Sequence, residues 1–181
     1  AVEDQKKRDA EIIDEFVRLF GDNDSIELFS APGRTEVGGN HTDHNHGKVL
    51  AASVDLDTVA AAAKRDDGII VEKSFKFDAL EVDISDLEVH TEEFGKSSGL
   101  IRGMCAGFKE RGYNIGGFNA ASMSRVLSGS GLSSSAAYEV LIGTILNHLY
   151  NDGKVSPVEV AKIAQYAENK YFGKPCGLLD Q

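Results

Sequence analysis

The sequence predicts an α+β fold. Four segments carry apolar residues at the 3.6-residue spacing of amphipathic helices, and several shorter apolar runs end at the glycine, proline or aspartate signals that bound strands. These strands precede and separate the helices without strict alternation, which favours α+β over a doubly wound sheet. With 181 residues, 41% of them hydrophobic, the chain is long enough to bury a core.

The first half predicts one helix followed by an antiparallel set of strands. The helix covers residues 3–20, and Gly21 ends it. A strand over 26–31 ends at a turn formed by Pro32-Gly33. Residues 49–63 predict two strands joined by a turn at 55–57, although their alanines would equally suit a helix. Further strands are predicted over 68–74 and 79–84.

The second half predicts three helices and one strand. A helix over 98–111 ends at Gly112, and a strand over 117–127 leads into a helix over 133–150. Pro157 begins a last helix that reaches about residue 172.

Composition narrows the function classes. A net charge of −10 disfavours general binding to nucleic acids or anionic membranes. Cys105 and Cys176 are too few for a disulfide framework, no apolar run is long enough for a membrane span, and the charged N-terminus is unlike a signal peptide. We therefore expect a cytoplasmic protein with reduced thiols. The apolar last segment, 176–181, predicts that the chain is a piece of something longer.

A glycine- and serine-rich segment over 127–138 follows a predicted strand and opens an apolar helix. Glycines let backbone amides approach an anion, and a helix start attracts negative charge. The segment therefore predicts phosphate binding, with a plain serine cap after a glycine turn as the alternative. It is not a dinucleotide fingerprint, because Ser134 stands at the third glycine position. Residues 95–97 do not form a Walker A motif either, because the required earlier glycine is His90.

A polar segment over 31–47 follows the first strand. Asn40, His41 and Asp43 offer the mixed donors and acceptors that bind sugar hydroxyl groups, and Arg34 can stabilise phosphate charge. Two alternatives stay open: a polar glycine-rich loop, or a metal site that adds the histidines at 44 and 46.

Two carboxylates complete the candidates. Glu168 flanks the buried stripe of the last helix, a position that calls for a partner such as an arginine or a metal, although a solvated glutamate is the commoner explanation. Asp180 is an acid in apolar sequence, which suits a helix cap, a turn or a functional base.

Together these segments resemble the galactokinase family of the GHMP small-molecule kinase superfamily. Residues 33–43 resemble its signature loop, residues 129–137 its phosphate loop, and residues 167–181 its catalytic-aspartate segment. The resemblance is collinear over 31–181.

The resemblance implies a role for each site residue. Asp180 would take or orient the proton of the sugar's anomeric hydroxyl, and Arg34 would stabilise the transferred phosphoryl group. Ser135 and Glu168 would hold Mg²⁺. The implied sugar contacts are Asn40, His41, Thr42, Asp43 and Gly177, and the implied ATP contacts are Gly129, Ser130, Gly131, Leu132, Ser133, Ser134 and Ser135.

The implied activity is ATP-dependent phosphorylation of galactose or a related sugar at C1, in galactose catabolism. The implied fold is the GHMP kinase N-terminal domain over residues 1–181, of the ribosomal S5 domain 2-like type with a left-handed βαβ crossover. Family members continue into a second domain, so we expect this piece to have little kinase activity alone. The sequence leaves the oligomeric state open.

Two residues depart from the family pattern. Asn40 stands where galactokinases carry a glutamate that contacts the sugar's primary hydroxyl, which suggests a changed substrate preference. Glu36 replaces a common asparagine, and the sequence offers no reason. The alternatives are a kinase for galacturonate, arabinose or N-acetylgalactosamine, or a non-catalytic sugar sensor; the intact Asp180, Arg34 and phosphate loop favour an enzyme.

Overall fold

A computed structural model describes residues 2–127, 129 and 131–181. Within these residues, five strands form one mixed sheet of order β1-β2-β5-β3-β4. The strands are β1 (Glu27–Gly38), β2 (Leu50–Lys64), β3 (Ile69–Ser74), β4 (Leu80–Asp83) and β5 (Phe118–Ser124). The α-helices are α1 (Val2–Phe20), α2 (Ser97–Glu110), α3 (Ser134–Asn151) and α4 (Pro157–Ala167). The α+β prediction is confirmed, and none of the described helices is both long and apolar enough to cross a membrane.

The sheet has a hydrophobic layer on each face. One layer packs the sheet against α2, α3 and α4, and the smaller one packs it against α1 through Ile12 and Phe16. The interior strand β2 is buried on both sides, because Ala60 and Ala62 face the first layer while Val59, Ala61 and Ala63 face the second. Burial on both faces explains why this strand is a continuous apolar run that also suits a helix.

Two predicted turns are absent because β1 and β2 pair along nearly their whole lengths. Pro32-Gly33 does not end β1; the register shifts between Pro32 and Arg34, and the strand continues to Gly38. Residues 55–57 do not form a turn either. Asp57 lies within β2, where its carboxylate accepts hydrogen bonds from Arg8 Nη1 at 2.6 Å and Ser30 Oγ at 2.6 Å.

The direction of one strand pairing and the end of the last helix also differ from the sequence prediction. The strands are not wholly antiparallel, because β3 pairs antiparallel with β4 and parallel with β5. The handedness of the connection between β3 and β5 stays a prediction. The last helix is α-helical only to Ala167 and ends in a π-helical turn over Glu168–Phe172.

Candidate active site

A cavity of about 720 Å³ lies where the three chemistry-bearing segments meet. Its lining comes from all three of them: Arg34, His41, Asp43, His44, Leu127, Gly129, Gly131, Ser133, Ser134, Ser135, Asn169, Lys174, Pro175, Cys176, Gly177, Leu179 and Asp180. Segments far apart in sequence, from Arg34 to Asp180, therefore surround one space.

Arg34 joins the glycine-serine segment to the last segment. Its Nε donates a hydrogen bond to Asp180 Oδ1 at 3.0 Å, and its Nη2 contacts the same oxygen. Its Nη1 donates to the carbonyl of Gly131 at 2.7 Å. Both charged side chains are largely enclosed, with 12% of Arg34 and 15% of Asp180 exposed. A fixed guanidinium and a fixed carboxylate thus meet beside the start of α3.

The start of α3 has the features of an anion site. Gly129 and Gly131 have left-handed backbones with φ of 75° and 76°, which glycine adopts without strain. Ser133 precedes the helix in a left-handed conformation, and its side chain does not cap α3. Its buried Oγ has no hydrogen-bond partner within the described residues. The serine-cap alternative is therefore wrong for Ser133. The first amides of a helix also lack intrahelical partners, so donors converge here.

Two predicted ATP contacts of this segment are not among the described residues that line the cavity. Leu132 does not line it, but its carbonyl accepts a hydrogen bond from the Arg34 amide at 3.2 Å. Ser130, one of the predicted ATP contacts, lies outside the described residues.

Ser135 and Glu168 are in direct contact. Ser135 Oγ donates to Glu168 Oε1 at 2.9 Å, and Lys174 Nζ lies 3.4 Å from the same oxygen. Glu168 is fully buried at the start of the π-helical turn, so it is not a solvated residue on the shoulder of the helix. Such turns recur at functional sites, and this one brings Glu168 to Ser135 on α3.

Sequence reasoning missed a second buried acid beside Glu168. Glu139 on α3 is fully buried, and Gln181 Nε2 donates to Glu168 Oε2 at 2.9 Å and to Glu139 Oε2 at 3.3 Å. Burial and the nearby Glu168 carboxylate raise the pKa of Glu139 to about 9. The sequence signal that could have found Glu139 is its place between apolar residues of the helix over 133–150.

The oxygen groups at this point fit a hard cation. The Ser135 hydroxyl and the Glu168 carboxylate are oxygen donors, and Glu139 Oε1 has no hydrogen-bond partner in the described part of the chain. Mg²⁺ keeps several waters and needs only one or two carboxylates from a protein. Across the described residues, no three His, Cys, Asp or Glu side chains converge as a metal cluster, which leaves the alternative site at His44 and His46 without support.

Asp43 ties the first loop to the last segment. Its Oδ2 accepts a hydrogen bond from the Leu179 amide at 2.9 Å. Burial alone would raise the pKa of Asp43, but backbone amides, led by that of Leu179, hold it below its usual range. Gly177 packs so closely that a Cβ there would overlap the Asp43 carboxylate. Asp180 is thus held from two sides, by Arg34 and by this contact.

His41 lies between two carboxylates. Its Nε2 is 3.2 Å from Glu36 Oε2, and its Nδ1 is 3.8 Å from Asp180 Oδ1. The His41 amide also donates to Glu36 Oε1 at 3.3 Å. Glu36, which the sequence left unexplained, therefore holds His41 in its left-handed conformation beside Asp180.

The other two loop candidates do not line this cavity. Asn40 is exposed with φ of 51°, a conformation that asparagine tolerates better than most residues. Thr42 Oγ1 donates to the Gly39 carbonyl at 2.7 Å, which closes the loop on itself.

A second cavity, of about 280 Å³, adjoins the first. Ser134 and Ser135 line both cavities, so the start of α3 separates them. Leu100 and Phe172 give the second cavity apolar walls, and Glu72 contributes a buried carboxyl group. Its residues are spread over four strands and two α-helices, so no local pattern pointed to it.

Comparison with family models gives two matches. Residues 14–64 match the galactokinase galactose-binding signature, and residues 99–181 match the GHMP kinases N terminal domain. The two matches together contain every residue of the cavity described above.

Curated relatives and solved structures give the same family. The chain is 33% identical to the galactokinase of Clostridium tetani over 94% of its length, and 34% identical to that of Bacillus subtilis over 92%. It spans 43% of the length of each. The crystal structure of Lactococcus lactis galactokinase complexed with galactose superposes with a TM-score of 0.87 at 33% identity, covering 94% of this chain and 44% of that one. Methanococcus jannaschii mevalonate kinase, at 17% identity and a TM-score of 0.71, shares the fold.

Proposed function

Because the chain belongs to the galactokinase family of the GHMP kinases, we propose that the protein transfers the γ-phosphoryl group of ATP to the C1 hydroxyl of galactose or a closely related sugar. The observation that carries this proposal is the Arg34–Asp180 pair, held against the Gly131 carbonyl at the start of α3. The matched Lactococcus structure contains galactose, which makes galactose the first substrate to test.

In the proposed reaction, Asp180 orients the sugar hydroxyl and receives its proton. Arg34 fixes the Asp180 carboxylate and supplies positive charge where the transferred group gains negative charge. Phosphoryl transfer depends mainly on in-line positioning and charge neutralisation, with little covalent help from the protein. A held carboxylate and a held guanidinium on one side of a helix start are suited to both tasks.

The nucleotide would occupy both cavities. Its phosphates would lie along the glycine-serine segment, against the first amides of α3 and the Ser133 hydroxyl, which has no hydrogen-bond partner among the described residues. Its nucleoside would enter the second cavity, because the phosphate-facing residues Ser134 and Ser135 also line that space.

Ser135 and Glu168 are the residues that would hold Mg²⁺, and their oxygens fit it as described above. When bound, the ion neutralises phosphate charge. Lys174, which lies against Glu168 and lines the larger cavity, adds a second positive group on that side.

The sugar would lie between the first loop and the last segment, with His41 and Asp43 as its polar neighbours and Gly177 beside it. Asn40 and Thr42 belong to the same loop and would act from its outer side. A neutral Asn40 tolerates a uronate better than a glutamate would. If Asn40→Glu leaves the preference between galactose and galacturonate unchanged, this part of the proposal is wrong.

We also propose that residues 1–181 act as the GHMP kinase N-terminal domain of a longer cytoplasmic protein, in which a second domain completes the sugar site. The 43% coverage of the curated relatives supports this arrangement.

The experiment is a coupled assay of ADP release by the full-length protein with ATP, Mg²⁺ and a panel of hexoses, pentoses and uronic acids. The proposal expects turnover with galactose or a close relative, and its loss in Asp180→Asn. A protein that binds sugar and ATP but turns over none of the panel would instead be a sensor.

A further inference from the structure

A buried carboxyl group lines the second cavity. Glu72 lies on β3 and is 3% exposed, and its side chain shares the helix-facing side of the sheet with Ile70. Carboxylates are seldom buried to this degree unless a specific interaction holds them. Nothing in the proposed phosphoryl transfer uses Glu72.

Two hydroxyl groups fix this carboxyl in place. Ser122 Oγ, from β5, donates to Glu72 Oε1, and Tyr138 OH, from α3, donates to Oε2 at 3.3 Å. Ser122 and Tyr138 line the same cavity, and Tyr138 lies one helical turn beyond Ser134. The carboxyl plane is thus set by two elements that also shape the cavity.

The bound Glu72 oxygens keep further capacity to accept hydrogen bonds. Each carboxyl oxygen has two lone-pair directions, and the hydroxyl donors take one on each. Burial raises the pKa of Glu72 above its ordinary value, and the hydrogen bonds from Ser122 and Tyr138 act in the opposite direction. Glu72 is therefore a preset acceptor in a space that Leu100 and Phe172 line with apolar side chains, beside several serine hydroxyl groups.

A purine base suits such a space. Its faces pack on apolar walls, and its amino group needs an acceptor once it leaves water. We propose that Glu72 is the residue that reads the base, accepting a hydrogen bond from the exocyclic amino group of adenine. This inference rests on the proposed function, because that function places the nucleoside in the second cavity.

A binding cycle tests the contact directly. ATP is compared with purine riboside 5′-triphosphate, which lacks only the amino group, by calorimetry on the full-length protein without sugar. The wild type is expected to bind ATP about tenfold more tightly, the effect of one buried hydrogen bond. In Glu72→Leu the two nucleotides should bind within about twofold of each other, because the acceptor is gone.

Matched variants separate reading of the base from packing. Glu72→Gln keeps an acceptor oxygen and should keep the preference for ATP. Glu81→Leu makes the same substitution at an exposed position of β4. It should change neither the affinity for ATP nor the affinity for purine riboside 5′-triphosphate. If the leucine variant does not fold, Glu72→Met, which is unbranched like glutamate, gives the same comparison.

The outcomes distinguish the two proposals. A wild type that binds no ATP overturns the proposed function and this inference together. A wild type that binds both nucleotides equally, or a leucine variant that keeps the tenfold preference, overturns the inference about Glu72 and leaves the kinase proposal intact.

Discussion

Replacing Gly177 by alanine should uncouple the two segments that hold the active-site aspartate. A Cβ at Gly177 overlaps the Asp43 carboxylate, with Oδ1 at 2.8 Å and the other two carboxylate atoms closer still. Since non-bonded atoms settle at about 3.5 Å, the Asp43 carboxylate has to move by on the order of 1 Å. That movement breaks its 2.9 Å hydrogen bond from the Leu179 amide, next to Asp180.

The expected magnitude follows from this displacement. A misplacement of about 1 Å at a reacting group costs about 10²-fold in rate, so kcat/KM for the sugar should fall about a hundredfold. The KM for ATP should stay within about twofold, because the start of α3 is untouched. The measurement is steady-state kinetics of the full-length protein with each substrate varied in turn.

Gly38→Ala is the matched control, because a Cβ at Gly38 meets no described atom within 4 Å and the backbone there is not left-handed. It should leave both kinetic constants near their wild-type values. A Gly177→Ala enzyme whose kcat/KM stays within threefold of the wild type refutes the argument that this packing positions the aspartate.

Three further predictions concern other parts of the molecule. Ser135→Ala removes a proposed magnesium ligand and its hydrogen bond to Glu168, so the Mg²⁺ concentration for half-maximal rate should rise about tenfold in a magnesium titration; an unchanged titration contradicts the assignment. Arg8→Met leaves the Asp57 carboxylate without its main partner and should lower the free energy of unfolding by about 2–3 kcal/mol in urea at pH 7. Although burial alone would raise the pKa of Asp57, hydrogen bonds from Arg8 and Ser30 hold it below its ordinary value. The stabilisation is therefore present above the ordinary pKa of aspartate and is lost as pH falls through the lower pKa that Asp57 has in the folded protein. A difference in unfolding free energy between wild type and Arg8→Met that does not narrow by pH 3 argues against this ion pair. Burial raises the pKa of Cys105 to about 12, so its thiol should react with a disulfide reagent at pH 8 only after unfolding; rapid reaction in the native protein would contradict its burial.

The helices were predictable because their signals are local. Helical spacing, the proline that begins α4 and the glycines that end α1 and α2 each act within a few residues. The missed strand boundaries depend on distant partners. Pro32 is accommodated by a register shift against β2, and Asp57 is tolerated inside a strand because Arg8 reaches it from α1.

The residues of the candidate site likewise fall into those with a local sequence signal and those without one. The three motifs could be found because each is a run of unusual composition, and their resemblance to a known family placed them in one site. Glu36, Glu139 and Gln181 could not be assigned, because their partners lie on other segments or depend on a left-handed loop. The buried carboxyl of Glu72 was equally hidden, because alternation along β3 does not show what packs across it.

The central claim is that Asp180, held by Arg34, receives the sugar proton during phosphoryl transfer. Its most direct test is phosphorus NMR of the products formed by the full-length protein and by Asp180→Asn, with nucleotide affinity measured in parallel. The account predicts a phosphate ester at the anomeric carbon from the wild type, at least a thousandfold slower formation by the variant, and equal ATP binding. A variant within tenfold of the wild-type rate, or a phosphate on another hydroxyl group, would contradict it.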